Sequence, residues 1–279
     1  SKTFTLKKDQ SVILPFNLSM EGALLKYSTT QLLAKVEEKN AVHYFFFAPE
    51  GLRTEYSFDK STLSSGKEFY TPKPGLKSTF SITVKNGKTL KITTLTRQQA
   101  LNTTKVNNHI LITEATVLPE KEQCTLLSLG KTQISYALYT ANKGWKEETI
   151  EVQPVDVKAD LKKVGTRRMT VKIDQPDVPQ VNDYFLRVNY VADVAMAFIG
   201  GYLVLDHYYY GIPWTIGLRR FKNELKNEYL SFYFRPLRKD APFIGDLPVE
   251  AIPDFSQKDA DCLVRSVDVI PEYKAIVNI

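Results

Sequence analysis

SITVKNGKTLKITTL, residues 81–95, decides the fold class of this 279-residue chain. Two runs rich in Ile, Val and Thr flank Asn86-Gly87. β-branched side chains suit a pleated strand, and Asn-Gly accepts the positive φ of a tight reversal. The stretch therefore predicts a β-hairpin closed by a two-residue type I′ turn. Residues 193–206, DVAMAFIGGYLVLD, repeat the pattern around Gly200-Gly201. Their apolar residues alternate only loosely, which predicts a hairpin covered on both faces. Residues 32–48 read as a third hairpin turning at Glu38 to Asn40.

Outward from these hairpins the same texture continues. Strand-like runs occupy 109–118, 123–130, 133–140, 147–155, 167–173, 183–191, 229–237 and 260–279. One helix is expected, over 95–105, where Thr96 and Gln99 have capping-box spacing. Short strands with frequent turns predict an all-β fold of two β-sandwich units with little helix. A Greek-key unit is expected over 1–155 and a jelly roll over 156–279, because apolar periodicity fades near Pro154. A second loop, DQPDVPQVND at 174–183, lies inside the second unit. The absence of βα alternation argues against a TIM barrel and a Rossmann unit.

The 37 Lys and Arg stand against 31 Asp and Glu, a net charge of +6. The signs are interspersed, and the nearest basic cluster is Lys162, Lys163, Arg167 and Arg168. This reads as solvated surface, so no nucleic-acid partner is expected. The longest apolar stretch, 194–205, is too short to span a bilayer and is broken by Gly200-Gly201. No membrane span is expected. The opening residues SKTFTLKKDQ carry no initiator Met and no apolar signal region, so the chain reads as a piece of a longer protein or a processed product.

Cys124 and Cys262 fall in different expected units, which predicts two free thiols. His43, His109 and His207 are far apart and have no zinc-site spacing, so neither metal nor cofactor is expected. His109 lies in an apolar strand and is expected to be a hydrogen-bonded structural histidine. Asp206 and His207 are adjacent, but strand neighbours point to opposite faces and do not cooperate as an acid–base pair. A glycosidase needs two carboxylates across a sugar. Glu50, Asp193 and Asp206 are the acids in aromatic surroundings, and each is expected to serve a turn or a strand end. No nucleophile elbow or phosphate-binding loop is present, so no catalytic residue is assigned.

Residues 205–214, LDHYYYGIPW, pose the sharpest question. Strand geometry puts Asp206, Tyr208 and Tyr210 on one face, with His207 and Tyr209 on the other. Gly211 and Pro213 then end the strand. The structural reading makes Asp206, Gly211 and Pro213 a corner and Trp214 its buried plug. The functional reading makes Tyr209 and Trp214 a sugar-stacking platform. Trp145, after Asn142-Lys143-Gly144, is a rival platform on an expected loop.

The stretch 183–221 resembles a segment of bacterial family 35 glycoside hydrolases, the β-galactosidase family. The resemblance rests on Asp193-Val194-Ala195, Gly200-Gly201, Asp206, Tyr208-Tyr209, Gly211, Pro213-Trp214 and Gly217-Leu218. Residues 14–51 and 95–102 look like the β-domain that precedes it. The family carries its catalytic glutamates on a (β/α)8 barrel, and no barrel sequence is present here. The resemblance therefore implies a non-catalytic accessory region with a galactose-binding-like jelly roll. Its implied partner is a catalytic (β/α)8 barrel of the same or a parent chain. Galactoside or polysaccharide contact, and a secreted or periplasmic parent protein, are further implications. The alternatives are a free-standing carbohydrate-binding or cell-surface module, and a glycosidase in its own right.

Overall fold

The computed structural model describes residues 5–279. The first four residues of the opening stretch lie outside the described part. The fold is all-β and sandwich-like, with one short α-helix among the described residues. The chain forms two compact units, both discontinuous in sequence. Of the described residues, the first holds 5–126, 133–150 and 276–279, and the second 127–132 and 151–275.

The first unit begins with β1 (Phe16–Met20), β2 (Ala23–Ser28), β3 (Gln31–Glu37), β4 (Ala41–Phe47) and β5 (Tyr56–Phe58). β6 (Leu63–Ser65), β7 (Phe69–Tyr70), β8 (Thr79–Val84) and β9 (Thr89–Leu95) follow, then α1 (Arg97–Leu101). After the helix come β10 (Thr103–Val106), β11 (His109–Thr113), β12 (Thr116–Pro119), β13 (Gln123–Leu129), which passes into the second unit after Leu126, β14 (Gln133–Thr140) and β15 (Gly144–Glu151), which does so at its last residue. Three sheets result, ordered β1-β2-β5-β7, β3-β4-β9-β8-β6 and β10-β11-β14-β15.

β4 explains how the middle sheet is buried on both faces. Its run AVHYFFF has no polar alternation, as a doubly covered strand should not. Tyr44 and Phe46 enter one core with Met20, Leu25, Tyr56, Phe58, Ile82 and Leu90. Phe45, one residue out of phase, enters another with Val36, Leu95, Ile110 and Tyr139. β4 also runs parallel to β9, with Phe46 opposite Thr94.

The 81–95 hairpin is β8-β9, but its turn differs from the expected type I′. Gly87 has φ +86°, and Asn86 is not among the residues with positive φ. The Gly87 N–H donates to the Val84 carbonyl at 2.9 Å, and Val84 N–H donates to Lys88 at 2.9 Å. The loop is thus three residues long, with glycine at the left-handed position. The Asn86 side chain explains the choice. Its Oδ1 accepts from Lys88 N–H at 3.0 Å and its Nδ2 donates to the Glu21 carbonyl at 2.8 Å. α1 keeps the expected capping box, Thr96 with Gln99, but is only five residues long. β10 takes over at Thr103 and pairs with β11, ending the helix early.

The second unit contains β16 (Ala159–Lys163), β17 (Arg168–Ile173), β18 (Val181–Val191), β19 (Val194–Ile199) and β20 (Tyr202–Tyr208). β21 (Trp214–Gly217), β22 (Leu230–Arg235), β23 (Leu237–Arg238), β24 (Ala260–Asp261) and β25 (Leu263–Asn278) complete it. One sheet runs β16-β17-β22-β19-β20, and across the core β18 pairs with both β25 and β21. Alternate residues fill the space between: Met169 and Val171, Leu186, Val188 and Tyr190, Ala195 and Ala197, Phe232 and Phe234.

The 193–206 hairpin is β19-β20, with both Gly200 (φ +56°) and Gly201 (φ +85°) left-handed, as a type I′ turn requires. The expectation that it is covered on both faces fails for its second arm. β20 is the edge of its sheet, and Tyr202, Leu203 and Tyr208 are exposed. Loose alternation there reflects the bulge at Val204, which shifts register between Ala197–Leu205 and Phe198–Leu203.

Candidate functional site

One buried polar cluster of the first unit is built around His43. Its ring is 2% exposed and stacks on Phe45 at 4.3 Å between centroids. Nδ1 lies 2.6 Å from the Tyr139 hydroxyl and Nε2 lies 2.7 Å from Thr93 Oγ1. Tyr139 donates to Glu38, whose other oxygen takes Lys91 Nζ at 2.6 Å. The Glu38 side chain is only 2% exposed. Because Tyr139 gives its proton to Glu38, it accepts from His43, which is then the neutral Nδ1–H tautomer. Nε2 accepts from Thr93, and Thr93 accepts from Thr79 at 2.5 Å.

The proton affinities follow. Burial pushes His43 down to about 4, against the opposing pull of Glu38. Burial alone would raise Glu38, but the bonds from Lys91 and Tyr139 outweigh it and hold the carboxyl below its ordinary range. Burial, then the bond to Glu38, pushes the Tyr139 phenol upward. Glu38, Lys91 and Tyr139 are scattered through the sequence, and no motif spacing announces them. Every side chain in the chain of bonds already has its partner, so the cluster specifies packing rather than presenting a free acid or base.

In the second unit, 205–214 is built as a corner. Asp206, Tyr208 and Tyr210 face out, while Tyr209 is buried and His207 half-buried. His207 Nδ1 meets the Tyr190 hydroxyl at 2.6 Å, and its ring stacks on Trp214. Burial lowers the proton affinity of His207, opposed by the charge of Asp206. Asp206 and His207 do lie on opposite faces. Gly211 makes the turn possible at φ +92°, and a Cβ there would come 2.5 Å from Ala251 Cβ. Pro213 leads directly into β21, which begins at Trp214.

The rings proposed as sugar platforms are placed differently from that expectation. Tyr209 is 5% exposed and donates its hydroxyl to the Ala251 carbonyl at 2.8 Å; Trp214 is 6% exposed and meets Phe232 edge-on at 5.8 Å. Neither presents an open face to a sugar, because the corner folds both rings into the core. Trp145 is on β15, not a loop, and is half-buried against Phe45 and Tyr139. Its Nε1 is buried without a hydrogen-bond partner. The outward rings of this region are Tyr202, Tyr208 and Tyr210.

The other candidate acids are engaged or exposed. Glu50 pairs with Lys7 at 2.5 Å, which lowers its carboxyl's proton affinity. Asp193 takes Arg235 Nε at 2.7 Å, while its other oxygen is buried and unpartnered. Its backbone also closes the corner, with Tyr209 N–H donating to the Asp193 carbonyl at 3.0 Å. His109 departs from expectation, since its Nδ1 is buried without a partner. Cys124 and Cys262 are both free, the first buried and the second half-buried. Among the described residues, no helix is long and apolar enough to cross a membrane. No protein-family model matches the chain, and no curated protein sequence matches it.

Proposed function

We propose that this chain is a non-catalytic accessory region of a glycoside hydrolase resembling β-galactosidases. In this reading it supports or shapes the active site of a catalytic (β/α)8 barrel carried by the same or a parent chain. The carrying observation is the 205–214 corner, the part of the chain that most resembles family 35 enzymes. Its Trp214, Tyr209 and His207 are held in the packing of the second unit. Such a segment acts by rigidity. The class of partner comes from the resemblance alone.

The test is complementation. A family 35 barrel cut off after its last helix would be titrated with this chain, and both binding and aryl-galactosidase activity followed. A one-to-one complex with raised barrel stability or activity is the expected result. No complex at tens of micromolar, with the chain folded by circular dichroism, would overturn the reading.

A second reading draws on one observation. Tyr208 and Tyr210 are 68% and 49% exposed and stand on the same side of the segment. Exposed aromatic faces are the usual means by which a shallow site holds the C–H surface of a sugar. A free-standing carbohydrate-binding module would use these rings rather than Trp214. Loss of polysaccharide retention in Tyr208→Ala/Tyr210→Ala, with stability unchanged, would favour it.

A further inference from the structure

The loop at 174–183 closes one side of a polar cleft within the second unit. Its lining includes Asn182, Asp183, Tyr184, Arg219, Lys222 and Lys274. The wall is preformed. Tyr184 is buried and donates its hydroxyl to the Pro176 carbonyl at 2.6 Å, while Pro176 and Pro179 stiffen the loop. Lys274 N–H donates to the Gln180 carbonyl at 2.9 Å and ties the far end of the loop to β25.

The charges in the cleft are unevenly matched. Lys222 pairs with Asp177 at 3.0 Å, and Asp177 points to solvent at 88% exposure. Arg219 donates to a neutral partner, Asn182, at 2.7 Å to Oδ1 and 3.3 Å to the carbonyl. Lys274 is half-buried, and no ion pair joins its ammonium to a carboxylate among the described residues. Two cations thus lack a carboxylate bonded directly to them, which suits an incoming anion.

Asp183 adds a different function beside them. Its Oδ1 accepts from Tyr184 N–H at 2.6 Å and Arg219 N–H at 2.7 Å, so it braces the turn after β21. Its Oδ2 remains as an acceptor. Gly217 is not left-handed, so backbone strain does not explain it, yet a Cβ there would sit 3.0 Å from Asp183 Oδ2. Gly217 lies on the adjoining surface with Asp183 and Arg219 rather than in the cleft itself. Asp183 lines the same cleft as Arg219 and Lys274, which puts a hydroxyl acceptor beside the two cations.

We propose that this cleft binds a small sugar acid, its carboxylate on Lys274 and Arg219 and a hydroxyl on Asp183. A cleft of about 190 Å³ is smaller than common drug-sized pockets and suits a single residue of a uronate. Anion recognition by the second unit stands on the cleft itself, while the choice of a sugar as the hydroxyl carrier rests on the carbohydrate reading above. A failure here leaves the barrel complementation test untouched.

Sodium galacturonate, galactose and inorganic phosphate would each be titrated into the whole chain, with amide chemical shifts as the readout. Galacturonate is expected to move the amides of Asp183, Tyr184, Gly217 and Arg219 saturably. Galactose should bind about tenfold more weakly because it has no carboxylate, and phosphate about tenfold more weakly because it carries no hydroxyl at a sugar's distance from its charge. Lys274→Met should weaken galacturonate about tenfold and Lys274→Arg much less. Should Lys274→Met fail to fold, Arg219→Gln serves in its place. No saturable shifts, shifts confined to other residues, galactose or phosphate binding as tightly as galacturonate, or an unaffected folded variant would overturn the proposal.

Discussion

The indole of Trp214 stacks on the imidazole of His207, with ring centroids 5.4 Å apart and planes only 8° from parallel. The two residues flank the Gly211 turn, so the stack holds the two ends of the corner together. Phe232 closes the indole's edge, and Tyr190 holds the imidazole's Nδ1. Trp214→Ala should therefore cost about 3–5 kcal/mol, as large buried truncations do. Trp145→Ala should cost about 1–2 kcal/mol, because that ring is only half-buried. Denaturant midpoints measured with and without galactose check both. A Trp214→Ala midpoint within error of the parent's would sink the corner assignment.

Gly211 is constrained twice, by its φ of +92° and by the approach of Ala251. Gly211→Ala should destabilise by about 2–3 kcal/mol. Ala251→Gly in the same chain should restore part of that, the contact part, and leave the φ part. A double-mutant cycle with no coupling would show that the contact is unimportant.

Acid should weaken the first unit through His43. Its proton affinity is depressed from 6.5 to about 4 by burial, so between these values the unfolded chain binds a proton that the folded chain does not. Stability is fully present above pH 6.5 and falls as pH drops towards 4, by up to about 3 kcal/mol. Glu38, also held low, adds a loss of the same sign at the acid end. Lys91, Tyr139, Thr93, Phe45 and Trp145 are the groups around the pair, and Lys91 opposes His43 protonation. His43→Gln should flatten the curve of melting temperature against pH over this window. An unchanged slope in that variant would mean the acid limb arises elsewhere.

Two thiols should titrate in denaturant without reductant. In the native protein Cys124, fully buried, should react only on unfolding. Cys262 should react slowly, since burial pushes its thiol upward and the thiolate is the reactive form. Fast modification of both in native protein would contradict the burial of Cys124.

Much of the local structure was legible beforehand. The hairpins around Gly87 and Gly200-Gly201 follow from β-branched runs and turn residues, and Thr96 with Gln99 announced the start of α1. The alternation of Asp206, His207, Tyr208, Tyr209 and Tyr210 across the two faces of β20 and its extension is the same kind of local rule. The turn at Asn86 escaped because its side chain bonds to Glu21, 65 residues away. The exposure of β20 escaped because an apolar run does not say whether its strand lies inside or at the edge of a sheet.

Local chemistry in the chain determined which segments extend, where they reverse and which side chains share a face, since those depend on neighbours a few residues apart. Only the tertiary structure decided that Trp214 meets His207 and Phe232, that Tyr209 reaches Ala251, and that Glu38 reaches Tyr139, 101 residues on. It also placed Arg219 and Lys274 on one cleft with Asp183. Such meetings are set by strand order and core packing, where each contact gains free energy only after the others have closed the loops between them.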